Sequence, residues 1–226
     1  MTGDANGFVV TRTGRHLHVA FNAERTVLSS AVLAGGRVRA RHIVNLRVAK
    51  SSGIPPMRCA PPAETLCTYC RQQGWKGPIV GMMTAASMDS FRRADRREQG
   101  ATVTTLVTAG ISNAGRAGDP AVDRLLRQAH PEAGTVNIIV VTDALLTESA
   151  MVEAVMTVTE AKAAAFQNLD VRSTVSGGTA TGTGTDAVAV VSGFGPAAVA
   201  FCGKHVVFGE MLADTTIRAI SDSLGN

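Results

Sequence analysis

Aromatic residues are scarce in this 226-residue chain: 4% of the total, with one Trp and one Tyr. A nucleic-acid surface wants aromatics for stacking and a large patch of one charge. The net charge is only +4. Its basic runs, Arg37 to Arg47 and Arg92 to Arg97, are short, and the second is broken by Asp95 and closed by Glu98. Nucleic acid is therefore not an expected partner. No apolar run approaches the roughly 18 residues of a membrane span. The apolar stretch Val136 to Val141 has the length of a strand, so no membrane partner is expected. The segment 1–7 has neither the basic start nor the apolar stretch of a signal peptide, and the expected location is the cytoplasm.

Cysteines are few: Cys59, Cys67, Cys70 and Cys202. Without a secretion signal they are expected to be reduced. Cys67-x-x-Cys70 could be half of a zinc site or a redox pair. No second CxxC and no HxxxH completes it, although Cys59 could serve as a third ligand. The expectation is no metal and no cofactor. The Gly-Lys-Ser/Thr ending of a P-loop, the GxGxxG of a dinucleotide site and the GxSxG elbow are also missing.

What is present is a core. Apolar residues make up 45% of the chain and charged residues 18%, which excludes wholesale disorder. The length suits one large domain spanning 1–226, with 1–7 a candidate disordered lead-in. Strand signals over 8–13 and 16–21 flank Gly14-Arg15 as a hairpin. Further strands are expected over 26–33 and 38–48, with Gly35-Gly36 as the turn. The segment 51–62 reads as a loop, and Pro61-Pro62 opens a helix closed by Gly74. A strand over 79–84 precedes a charged helix expected from Ser87 to Gln99, stopped by Gly100.

Strand 101–111, a polar loop over 112–120 and a helix over 121–130 follow. The most apolar strand, 135–142, is expected at the centre of the sheet. Thr147 caps a helix to about Leu169. Irregular chain over 173–184, strands over 186–192 and 197–202, and a helix over 206–224 complete the pattern. Strand and helix alternate without a linker. The fold class is α/β: a layered single domain with a mixed β-sheet flanked by helices.

Three polar segments fall at expected strand ends, where ligand groups gather. They are Ser112-Asn113-Ala114, Thr142-Asp143-Ala144 and Thr181-Gly182-Thr183-Gly184-Thr185-Asp186. Alternating glycines allow a sharp turn that aims backbone N–H groups at an anion or an oxyanion. The same segment also reads as a turn whose threonines bond their own backbone. Asp143 and Asp186 are candidate bases. Asp143 could equally serve N–H groups at the next helix start. His205 stands at a strand-to-helix junction and is a candidate acid. Glu160 and Lys162, two apart on a helix, do not face each other. His16 and His18 share a strand face, while His42 and His130 carry no pattern.

In order and spacing the chain resembles the adenosylcobinamide amidohydrolase family. The stretches that carry the resemblance are Leu28-Ser29-Ser30-Ala31 with Gly35-Gly36, Gly81 to Ala85, Thr108 to Ala114 with Ala117-Gly118, and Gly134 to Ile139. Thr142-Asp143-Ala144, Thr159 to Lys162, Ala180 to Val188, and Gly203-Lys204-His205 with Gly209-Glu210 complete it. The resemblance implies cleavage of the amide that joins the aminopropanol arm to the corrin ring of adenosylcobinamide, in cobalamin salvage. The corrinoid is then substrate rather than cofactor.

For that reaction Asp143, Asp186 and His205 are the candidate catalytic groups. Asn113, Thr181, Thr183, Thr185, Glu160 and Lys204 are candidate substrate contacts. Met82, Met83, Phe194 and Phe208 could meet the flat ring or simply fill the core. A corrinoid-binding protein without hydrolysis, an unrelated amidase using Thr183, Thr185 or Ser29, and a nucleotide-binding module remain rival readings. Homo-oligomerisation stays open.

Overall fold

Every residue of Thr135–Thr142 is buried, as a strand covered on both faces must be. A computed structural model of the chain describes residues 7–48, 60–121, 134–195 and 198–225. In chain order these form β1 (Phe8–Arg12), β2 (His16–Ser29), β3 (Gly36–Arg47), α1 (Pro62–Gln72), β4 (Ile79–Thr84), β5 (Arg92–Glu98), β6 (Ala101–Gly110) and β7 (Ala114–Gly115). Then come β8 (Thr135–Thr142), β9 (Leu145–Leu146), α2 (Glu148–Asn168), β10 (Gly182–Thr183), β11 (Ala187–Val191), β12 (Ala198–Val199) and α3 (Val207–Leu224). The main sheet runs β4-β3-β2-β11-β8-β6-β5, with β1 also on β2. β3/β4 and β8/β11 are parallel, while β1/β2, β2/β3, β2/β11, β6/β8 and β5/β6 are antiparallel. The mixed sheet flanked by helices is thus the expected class.

The alternation of side chains along β8 and β11 divides the core. Ile138, Val140, Val188 and Val190 face α2 and α3. Ile139, Val141, Ala189 and Val191 face the half of the sheet that carries Phe8, Leu17, Val19 and Ile43. Phe166, Met151 and Met211 are almost wholly buried under the helices, each worth about 2–3 kcal/mol of transfer free energy. The other half-sheet folds back far enough for Asn137 of β8 to donate to the Met83 carbonyl of β4 at 2.9 Å and to Asn45 Oδ1 at 2.8 Å. Asn45 in turn donates to Thr108 Oγ1 at 2.7 Å.

α1 covers the outer side of β3 and β4 through Leu66, Tyr69 and Cys70. Pro62 begins it and Gly74, at φ +72°, turns the chain after it, a backbone shape that glycine adopts without strain. Here His16 and His18 point the same way, as strand periodicity requires. His18 stacks on Trp75 at 3.9 Å between ring centres, and His16 Nδ1 meets the Tyr69 hydroxyl at 2.7 Å. A carbonyl only accepts, so the 3.0 Å contact with Lys76 O makes His42 Nε2 a donor. A neutral His42 then accepts at Nδ1, and His18 Nε2–H donates to it across 3.1 Å. Burial first, then His42 and His16, depress the His18 pKa to about 4.

Three expected boundaries are corrected. The helix from Ser87 to Gln99 is a short 3-10 turn, Met88–Ser90, capped by Ser87, followed by β5. Its sequence RRADRRE places only Ala94 in the core, and its charges pair along an exposed edge. Arg93 bonds Asp95, and Arg96 bonds Glu98 and Glu210, so this basic run carries its own counter-charges. The strands expected over 16–21 and 26–33 are one strand, β2, with a register shift between Ala20 and Arg25. The strand over 197–202 shrinks to β12. The segment 1–6, most of the loop over 51–62, and all but the first residue of the helix expected over 121–130, with Cys59 and His130, lie outside the described residues.

Candidate active site

Asp186 precedes β11, and the parallel pairing with β8 sets it beside the first residues of that strand. Its two oxygens gather four donors. Oδ1 accepts from Val136 N at 2.8 Å and from Thr183 Oγ1 at 2.5 Å. Oδ2 accepts from Thr183 N at 2.9 Å and from Lys162 Nζ of α2. Lys162 and Asp186 side chains are each only 9% exposed. β10 pairs with β7, fixing Thr183 opposite Ala114. Gly182 makes room: a Cβ there would lie 2.5 Å from Asp186 Oδ2 and 2.6 Å from Lys162 Nζ.

Other candidates surround this pair. Thr185 Oγ1 meets Thr135 Oγ1 at 2.7 Å and donates to the Gly134 carbonyl at 3.1 Å. Thr183 Oγ1 also reaches that carbonyl, at 3.3 Å. Asn113 packs on Gly134 and Gly184, so closely that a Cβ on Gly134 would collide with its amide. Asn113 Oδ1 is buried without a hydrogen-bond partner among the described residues. Thr181 accepts from Ala117 N at 2.9 Å, and its own N–H goes to Gly115 O. The glycine-threonine turn therefore directs the Thr183 amide at the chain's own Asp186. Gly184 and Thr185 are its exposed residues.

Gly134 and Ser112, which flank Thr135 and Asn113, line a cavity of about 750 Å³ together with Ala86, Ser90, Gly110 and Ser223. A second hollow of about 520 Å³ lies over α2, lined by Arg116, Glu160, Ala163, Gln167 and Thr181.

Asp143 stands at the opposite end of β8, about 23 Å away at ~3.3 Å per strand residue. There its Oδ1 accepts from Thr102 N at 2.7 Å, pinning the start of β6 rather than the start of α2. His205 is exposed, 6.1 Å from the Phe201 ring, and is not among the donors to Asp186. Lys204 pairs with Glu160 on the outer side of α2. Asp143, Asp186 and His205 thus do not share a cleft. Met82 and Phe208 are core residues, Met83 packs beside the α1 cluster, and Phe194 is exposed over Arg25, so the four do not form one surface.

Lys162, Thr135 and Gly134 complete the cluster without having been singled out. The signal for Lys162 was its place four residues from both Val158 and Phe166, on the buried stripe of α2. Among the described residues no group of three His, Cys, Asp or Glu could hold a metal. Cys67 is exposed and Cys70 buried, both as free thiols. Burial, then the neighbouring Cys67, push the Cys70 thiol up to about 11, which is unsuited to thiolate chemistry. No helix among the described residues is long and apolar enough to cross a membrane.

A family model described as adenosylcobinamide amidohydrolase matches residues 3–226. The chain belongs to that family, whose name describes hydrolysis of an amide. An uncharacterised protein of Methanocaldococcus jannaschii is 39% identical over 163 residues, 66% of this chain and 64% of its own length. The match thus spans less than two thirds of that relative. A protein of Methanosarcina mazei named adenosylcobinamide amidohydrolase is 29% identical over 204 residues, covering 86% of this chain and 88% of its own. Among solved structures, a β-aminopeptidase of a Burkholderia species aligns with a TM-score of 0.46 and 14% identity over 97% of this chain and 82% of its own.

Proposed function

We propose that this chain hydrolyses the amide between the aminopropanol arm and the corrin ring of adenosylcobinamide, giving adenosylcobyric acid and aminopropanol in corrinoid salvage. One juxtaposition carries the reading. In a chain of this family, the Thr183 hydroxyl donates to Asp186 at 2.5 Å, one hydrogen bond from a glycine that lines a 750 Å³ cavity. A cavity of that size suits the arm and a rim of the ring, leaving the rest of the corrin outside. The corrinoid is substrate, and the reaction draws on no further cofactor.

Amide hydrolysis needs an activated nucleophile, donors for the oxyanion and an acid for the leaving amine. Thr183 Oγ1 attacks the carbonyl carbon while Asp186 takes its proton. Backbone N–H groups of Gly184 and Thr185, with the Asn113 amide, serve the oxyanion. The protonated Asp186 then returns its proton to the amine nitrogen as the C–N bond breaks, leaving an ester on Thr183 and free aminopropanol. Water, deprotonated by the same carboxylate, cleaves the ester and restores Thr183. Asp143 and His205 take no step.

Incubation with adenosylcobinamide, followed by chromatography for adenosylcobyric acid, tests the proposal. Thr183→Ala and Asp186→Asn are expected to lower turnover by about 100-fold or more. No product from the unaltered chain, or unchanged rates in both variants, overturns it. A visible-absorbance change on mixing without aminopropanol release selects a corrinoid-binding protein instead.

A further inference from the structure

We infer that Lys162 is a positioning residue for this reaction, fixing Asp186 so that Oδ1 alone is left to receive the Thr183 proton. The inference rests on the proposed role of Thr183 and Asp186, and adds a group that acts through the carboxylate rather than on substrate. Lys162 is 7% exposed, between Val158 and Phe166, both wholly buried. Burying an ammonium costs several kcal/mol before its partner repays it, and apolar replacements of such pairs are often neutral or stabilising. A leucine or methionine would complete the α2 stripe at least as well, so stability alone gives a poor account of a lysine here.

The surroundings are arranged for the pair. Gly182 has no side chain where any Cβ would press on both Lys162 Nζ and Asp186 Oδ2. The carboxylate is divided between two tasks: Oδ2 takes Lys162 and the Thr183 amide, and Oδ1 takes the Thr183 hydroxyl and Val136 N. A compact ammonium, unlike a forked guanidinium, holds one oxygen without competing for the other. When Asp186 accepts the Thr183 proton, the negative charge passes to the substrate oxyanion. Lys162 keeps its proton and stays as the fixed cation beside the carboxyl. Return of the proton to the leaving amine restores the original pair, so charge balances at each step.

The test compares Lys162→Gln with Lys162→Met in the full chain, beside Thr183→Ala. Glutamine keeps a donor and most of the volume, so loss of charge is isolated even if the methionine variant folds poorly. Both are expected to lower kcat by about 100-fold while KM stays within about threefold. A defect of packing alone would lower the amount of folded enzyme and leave kcat per folded molecule unchanged. Wild-type kcat in Lys162→Gln, with Thr183→Ala inactive, overturns the role of Lys162 and leaves the hydrolase reading intact. Full activity in Thr183→Ala overturns both.

Discussion

Lowering the pH from 7.5 to 4 should loosen the fold through one ring, His18. Its Nε2–H donates to His42 Nδ1, because His42 Nε2 is committed as a donor to Lys76 O, and a charge on this ring is disfavoured by its burial against Trp75. Burial, followed by the two neighbouring histidines, holds its pKa near 4 against an ordinary 6.5. Between these values the unfolded chain binds a proton that the native chain refuses, so stability falls as the pH drops through the window. At about 1.4 kcal/mol per pKa unit, the full depression is worth about 3 kcal/mol. Solvent screening at this edge of α1 reduces the expected loss to about 1–2 kcal/mol. His16, whose pKa is lowered by burial and then by Arg15, acts in the same direction. Trp75, the sole tryptophan, stacks on His18 and reports the transition by fluorescence. Urea unfolding at a series of pH values should show the midpoint falling below pH 6.5. In His18→Phe, which keeps an aromatic face on Trp75, at least half of that fall should vanish. An equal fall in the variant refutes the reasoning.

Two further substitutions probe other parts of the structure. Gly182→Ala should part Lys162 from Asp186, costing about 1–3 kcal/mol by overpacking and at least about tenfold in adenosylcobinamide turnover; thermal melts and product chromatography read both effects, and an unaltered melt argues against the close contact. Asn137→Ala should leave Asn45 Oδ1 and the Met83 carbonyl without their donor inside the sheet. Urea unfolding should register a loss of about 1–3 kcal/mol, and a neutral result means those carbonyls find water.

Where hydrophobic period and caps agreed, the sequence was readable. Strand β8, helix α2 with its Thr147 cap, and helix α3 fall where apolar spacing puts them. The strand β5 was not readable in that way. Its arginines satisfy helix propensity as readily as strand propensity, and only pairing with β6 decides between them. The shift between Ala20 and Arg25 was likewise hidden, because the β-poor residues between two apolar runs imitate a turn. For the site, Thr183, Asp186 and Asn113 stood out as polar groups at strand ends. Asp143 looked equivalent because local sequence does not say which end of the sheet a residue occupies. That depends on β8 and β11 running parallel, with α2 carrying the chain back between them. Lys162 entered only as a neighbour of Glu160, because its partner lies 24 residues away and becomes evident only when the crossover closes.

The vacancy at Gly182 gives this arrangement a signature that can be sought in other chains. A lysine in the middle of an apolar helical stripe, followed twenty residues later by Gly-Thr-x-x-Asp, defines a compact search pattern. Each of its letters has a steric or electrostatic reason. A chain that kept the threonine and aspartate but enlarged the glycine should also have exchanged the lysine for something shorter. Such paired exchanges would trace the same clamp through sequences too divergent to align elsewhere.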